Sequence, residues 1–211
     1  MSSLRFSKLE EGLRRVRGIF LPAVRDVTGA NYTDVDVGRA AGYIAIAHAE
    51  IQHYFDDRVR ELAIKAIHEF SAKDLVSREI VGLLTYCGMK DKELTLDAQQ
   101  AVSDELTAQV KHPTTSIAFC STSISVIKRA GEFYEKEFRQ KNNGIKTKNL
   151  IKLLLPLGFS PQALNQKWLA KMDSLGVNRG NSVHKSLGST IIGDPFSFSD
   201  DIEKALHGDA G

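Results

Sequence analysis

Leu9, Leu13, Val16 and Phe20 recur three or four residues apart, with Glu10, Arg14 and Arg17 between them. That period predicts an amphipathic helix over 4–24, which Pro22 ends or bends. The longest pattern follows, from Thr33 to about Phe70. Val37, Ala41, Ile44, Ala47, Ile51, Tyr54, Phe55, Val59, Leu62 and Ala66 form its apolar stripe. Thr33 suits the N-cap, and Asp34 and Asp36 suit the first turn, where a carboxylate meets the positive end of the helix dipole. The small residues Gly38, Ala40, Ala41, Gly42, Ala45 and Ala47 allow a second helix to approach closely.

Further helices are expected over 75–86, stopped by Cys87-Gly88, and over 91–110, closed by His112-Pro113. The next expected helix runs over 116–139, with Ile117, Phe119, Cys120, Ile124, Ile127, Ala130, Tyr134 and Phe138 inward. A turn follows at Lys141-Asn142-Asn143-Gly144, and Thr147 is positioned to cap a short helix over 149–155. Ser160-Pro161 then opens a helix over 162–172, and a last one spans 199–206. No stretch alternates with period two, so the fold expected is all-α: a bundle of about seven or eight helices in one domain, 1–211. Two helical lobes divided around 111–116 are the alternative.

Composition adds that the chain is an ordinary globular one, 42% hydrophobic and 26% charged in 211 residues. The N-terminal run is too charged for a secretory signal, and no apolar run approaches the roughly 20 residues of a membrane helix. Cys87 and Cys120 lack metal-ligand spacing and are expected to be reduced core thiols of a cytoplasmic protein. P-loop, dinucleotide-binding, zinc-protease and α/β-hydrolase motifs are missing, which argues against those enzyme classes.

Charge is unevenly distributed. Between Lys128 and Lys185 there are 12 Lys+Arg against 4 Asp+Glu, a net of +8, while the remainder is −6. A local excess of this kind attracts polyanions, although a solvated helical face has the same composition. Inside the basic segment lies MDSLGVNRGNSVHKS, Met172 to Ser186, which holds Arg179 and His184. A guanidinium can donate to the non-bridging oxygens of a phosphodiester as negative charge grows there. A histidine, whose ordinary pKa is about 6.5, can move the proton. RNA supplies its own nucleophile, the 2′-hydroxyl, so this chemistry requires no metal and no cofactor. Residues five apart on a helix stand about 140° apart. Convergence of Arg179 with His184 therefore needs long side chains, a helix start within the stretch, or a second protomer. Asn178 and Asn181 are candidates to orient the histidine or contact ribose, and Lys185, Lys146, Lys148 and Lys152 to hold the RNA backbone. The bland reading is that Arg179 and His184 cap carbonyls or meet a carboxylate. Trp168 is expected to pack in the core, as are His48 and His53 unless they face solvent. Glu50 is structural or supports Arg179.

The R-x4-H element Arg179-Gly180-Asn181-Ser182-Val183-His184, the HAEIQHYFDD run on the long helix and the helical array together resemble the HEPN superfamily. Within it the chain is most similar to the RiboL-PSP type. The likeness covers about 30–70 and 160–206, and leaves 71–145 as additional inserted helices. It implies a homodimer in which Arg179 and His184 of each chain meet in one cleft to form a composite active site. It also implies endoribonuclease activity, in a toxin–antitoxin or anti-phage setting, with an antitoxin or regulatory protein as a further partner. The position after the arginine is commonly Asn, Asp or His in that family; here it is Gly180, with Asn181 next. Two other functions fit the same residues. One is a non-catalytic HEPN-like module that binds RNA or nucleotide or dimerises. The other is an antitoxin or adaptor whose basic segment meets an acidic protein.

Overall fold

The computed structural model describes residues 4–26, 32–87, 121–184 and 194–207. Every regular element among them is helical, as the hydrophobic periodicity requires. There are seven α-helices: α1 (Leu4–Phe20), α2 (Asp34–Lys73), α3 (Arg78–Tyr86), α4 (Ser121–Tyr134), α5 (Thr147–Leu154), α6 (Gln166–His184) and α7 (Ser197–His207). The helix expected over 91–110, and Cys120, lie outside the described residues. No described helix is long and apolar enough to cross a membrane.

Helix ends follow local chemistry. α1 stops at Phe20, before Pro22, because proline cannot donate a helical hydrogen bond. At the start of α2 the Thr33 backbone N–H and hydroxyl both donate to Asp36 Oδ2, at 2.9 and 2.7 Å. The Asp36 N–H donates back to Thr33 Oγ1 at 3.3 Å, which completes a reciprocal cap. These hydrogen bonds hold the Asp36 carboxyl below its ordinary pKa. α2 then runs 40 residues, about 60 Å at 1.5 Å per residue. It ends at Asp74, which takes the left-handed conformation (φ 52°) usually given to glycine. α4 passes into a π-helical turn, Glu135–Arg139, in which Arg139 pairs with Glu135 on the same face. The Ser160-Pro161 signal produces a single 3-10 turn, Pro161–Ala163, rather than the start of α6. α6 is capped instead by Asn165, whose Oδ1 accepts from the Trp168 N–H at 3.1 Å.

The chain divides into two compact units, 1–55 with 143–150 and 164–211, and 56–142 with 151–163. The first is built on Leu9, Leu13 and Val16 of α1, Tyr43, Ile44, Ala47 and Ile51 of α2, Leu169, Met172 and Leu175 of α6, and Ile202 and Ala205 of α7, all buried. Phe20 lies across Gly42, where an added Cβ would meet its ring at 2.7 Å. At least there, the small-residue stripe of α2 serves the close approach it was expected to allow. Trp168 is half-buried and packs edge-on against Phe55, with ring centroids 5.8 Å apart. The second unit is built on Val59, Ala63, Ala66 and Phe70 of α2, Ile80, Leu83 and Leu84 of α3, and Val126, Ile127, Ala130 and Tyr134 of α4. Cys87 is buried there and forms no disulfide among the described residues. α3 meets the 3-10 turn Leu155–Leu157 so closely that a Cβ on Gly82 would stand 2.3 Å from Gly158 N and 2.7 Å from Pro156 O.

Candidate functional site

Arg179 stands on α6, which runs unbroken from Gln166 to His184. The sequence reading ends that helix near Met172 and passes into a separate Arg/His stretch. The structure continues it because Leu169, Met172 and Leu175 keep the apolar spacing and are each 3% exposed or less. No helix start falls within 172–184, so that route to convergence of Arg179 and His184 within one chain is absent. The backbone places the two residues about 140° apart around the α6 axis.

Lys146 approaches from the start of α5. Its carbonyl accepts the first helical hydrogen bonds, from Asn149 N at 2.8 Å and Leu150 N at 3.0 Å. The next residue anchors this turn to α6: the Thr147 N–H donates to Asp173 Oδ1 at 2.7 Å. The Thr147 hydroxyl lies 2.8 Å from Asp173 Oδ2 and 3.1 Å from the Leu169 carbonyl. Thr147 is thus tied to α6 by the carboxylate instead of capping α5 with its own side chain. The aliphatic stem of Lys146 then lies across Gly176, where an added Cβ would meet Lys146 Cγ at 2.6 Å. Gly176 is buried by this contact and is one helical turn before Arg179.

Within electrostatic reach of both cations lies His48 of α2, only 4% exposed. It falls between Ile44 and Ile51 on the buried face, four residues after one and three before the other. Burial pushes its imidazole down to about 4, and the positive charges of Arg179 and Lys146 push in the same direction. Both cations are therefore close enough to act on one buried ring that is neutral at physiological pH. Among the described residues, no carboxylate forms an ion pair with Arg179 or Lys146. Two cations with no ion-pair partner among the described residues, near a ring that adds no charge, favour an anion there.

The remaining candidates are more dispersed. Asn178 is half-buried on α6, and Lys148 and Lys152 are exposed on α5, with the Lys152 ammonium 6.0 Å from the Phe138 ring centroid. Glu50 is half-buried with its carboxylate beside α1, 3.3 Å from where a Cβ on Gly12 would stand. It lies two residues, about 200°, from His48 around α2. Asn181 and His184 belong to α6 by their backbone, their side chains lying outside the described residues, as does Lys185 altogether. His53 and His68 are exposed.

His48 is the member of the cluster that sequence reasoning left out of the site. The signal available was a titratable side chain at a core position of the α2 stripe. Such histidines mostly pack without further role, and only the approach of Arg179 and Lys146 distinguishes this one. No group of three or more His, Cys, Asp or Glu side chains suited to a metal ion occurs among the described residues. Comparison with protein-family models, curated proteins and solved structures finds no match to this chain.

Proposed function

We propose that this chain is a metal-independent endoribonuclease of the HEPN kind. The observation that carries the reading is that Arg179 of α6 and Lys146, just before α5, both act electrostatically on one buried neutral imidazole. In this proposal the two cations hold the non-bridging oxygens of the scissile phosphate and stabilise the charge of the phosphorane. The 2′-oxygen attacks phosphorus and loses its proton to a base, the P–O5′ bond breaks, and the departing 5′-oxygen takes a proton from an acid. His184 supplies one of these two proton transfers. The products are a 2′,3′-cyclic phosphate and a 5′-hydroxyl. His48 stays neutral throughout, so it lines the site without adding a third positive charge.

The spacing of Arg179 and His184 on a continuous helix supports a composite site. Two groups about 140° apart around one axis reach the same phosphate most directly when a second copy contributes one of them. The proposal therefore includes a homodimer, with Lys148 and Lys185 contacting the flanking backbone and Asn178 or Asn181 the ribose. By resemblance it extends to a toxin–antitoxin or anti-phage setting, with an antitoxin or regulatory partner.

The test uses an RNA oligonucleotide in EDTA, compared with the same strand carrying one 2′-deoxynucleotide at the mapped cleavage position. The expected result is cleavage of the first to a cyclic phosphate and none at the substituted position of the second. Equal cleavage of both, or a 5′-phosphate product, contradicts the mechanism. Tight binding of both strands with no product under any condition points to the non-catalytic RNA-binding module instead.

A further inference from the structure

α5 begins against local preference. Lys146 holds its N-cap position, since the Lys146 carbonyl accepts the first helical hydrogen bonds, from Asn149 N and Leu150 N. Serine, threonine, aspartate or asparagine is favoured at such a position, because a side-chain oxygen satisfies a free N–H of the first turn. A lysine side chain has donors only, and its charge stands near the positive end of the α5 dipole. The missing acceptor comes from another helix. Asp173 of α6 accepts from the Thr147 N–H at 2.7 Å and from the Thr147 hydroxyl at 2.8 Å. Among the described residues Asp173 forms no ion pair, so capping α5 is the polar contact its carboxylate makes.

A second exception lies within one turn on α6. Gly176 stands inside that helix, where glycine is less favourable than alanine. A Cβ there would meet Lys146 Cγ, Cε and Cδ at 2.6, 3.3 and 3.5 Å. The glycine thus leaves the path that the lysine stem takes, one turn before Arg179. On the other side Ile145 is wholly buried in the core of the first unit. Three consecutive residues are therefore pinned: Ile145 in the core, Lys146 along Gly176 and Thr147 at Asp173. A lysine in place of a capping residue and a glycine inside a helix both cost stability, and both serve the placement of one cation. Sequences break local preference in this way where a site demands it.

We propose that Asp173 is a positioning residue for Lys146: it caps α5 from α6, where the N-cap residue itself cannot, and so holds the Lys146 stem on Gly176 within one turn of Arg179. What the positioned cation then does rests on the ribonuclease reading, whereas the positioning itself does not. A cap that served stability alone would leave the field at His48 as it is, or lower the His48 pKa through loss of a negative charge. A cap that positions Lys146 has the opposite sign. Releasing it lets the ammonium move away, and the imidazole gains its proton more readily.

The test titrates the His48 ring by NMR in the full chain, for wild type, Asp173→Ala, Asp173→Asn, Lys146→Ala and the double variant Asp173→Ala/Lys146→Ala. Asp173→Ala is expected to raise the His48 pKa. Asp173→Asn keeps a carbonyl oxygen for the Thr147 N–H and restores most of the wild-type value. The double variant matches Lys146→Ala alone, because the carboxylate acts through the lysine. Inorganic phosphate, followed by the same resonances, binds several-fold more weakly to Asp173→Ala than to wild type. Where Asp173→Ala does not fold, Thr147→Val carries the test, with a smaller rise in the same direction. A His48 pKa that is unmoved or lowered in Asp173→Ala overturns the proposal. So does a further rise when Asp173→Ala is added to Lys146→Ala, or phosphate binding no weaker in Asp173→Ala than in wild type. Failure of the wild type to cut RNA tells against the ribonuclease reading, and the ring titration decides the positioning role in either case.

Discussion

An ordinary histidine gains its proton near pH 6.5, whereas His48 holds off until about pH 4. Over that interval the unfolded chain binds a proton that the folded chain refuses, so stability falls as pH falls. The contribution is intact above about pH 6.5 and is lost by an amount on the order of 3 kcal/mol by pH 4. His48→Gln, with no proton to gain, should flatten this part of the stability-versus-pH curve measured by urea unfolding. An unchanged slope between pH 6.5 and 4 would assign the acid sensitivity to other groups. The same ring reports the cluster directly. Removing the positive charge in Arg179→Ala or Lys146→Ala should raise the His48 pKa in an NMR titration. A pKa unmoved by either substitution would mean the cations are not beside it. Arg179 and Lys146 were legible as candidates because charge and residue type are written in the sequence. Their meeting at His48 was not, since it depends on which face of α2 turns toward α6 and α5. Glu50, on the same helix, faces α1 at Gly12 for the same reason.

Two glycines of α6 separate packing from propensity. Gly180 has no described atom within contact distance of an added Cβ. Gly180→Ala should therefore stabilise the chain by up to about 1 kcal/mol, the difference in helix propensity. Gly176→Ala gains the same propensity but drives its methyl into Lys146 Cγ at 2.6 Å. The expectation is no net gain, or a loss, in thermal unfolding, together with a raised His48 pKa as the ammonium is displaced. Equal stabilisation by both would show that Lys146 does not lie on α6. Periodicity places the described helices, and Thr33 caps α2 as its position suggests, while its reciprocal bonding with Asp36 goes beyond the dipole role expected of that carboxylate. α6 differs from the helix expected over 162–172 because Asn165, not Ser160, supplies its cap, and because Leu175 carries the apolar spacing past Met172. Tertiary contact through Leu175 and the Lys146 stem holds this extension of the helix.

At the scale of the molecule, an all-α architecture followed from the absence of period-two alternation, and seven helices are present among the described residues. The division at 55/56 within α2 was not legible, because one uninterrupted helix contributes to both units and no composition change marks the place. The excess of positive charge over 128–185 is legible in the sequence, and two of its members, Lys146 and Arg179, act on the same buried ring of His48. Whether that site performs chemistry is decided most directly by RNA cleavage in EDTA with wild type, Arg179→Ala, Lys146→Ala and His184→Ala, with RNA affinity measured in parallel. The account predicts that Arg179→Ala and His184→Ala each lower the cleavage rate at least 100-fold, in line with loss of transition-state charge stabilisation or of proton transfer. It predicts that Lys146→Ala lowers both rate and affinity, that His184→Ala leaves affinity nearly unchanged, and that mixing Arg179→Ala with His184→Ala restores part of the activity. Cleavage at the wild-type rate by either Arg179→Ala or His184→Ala would contradict it.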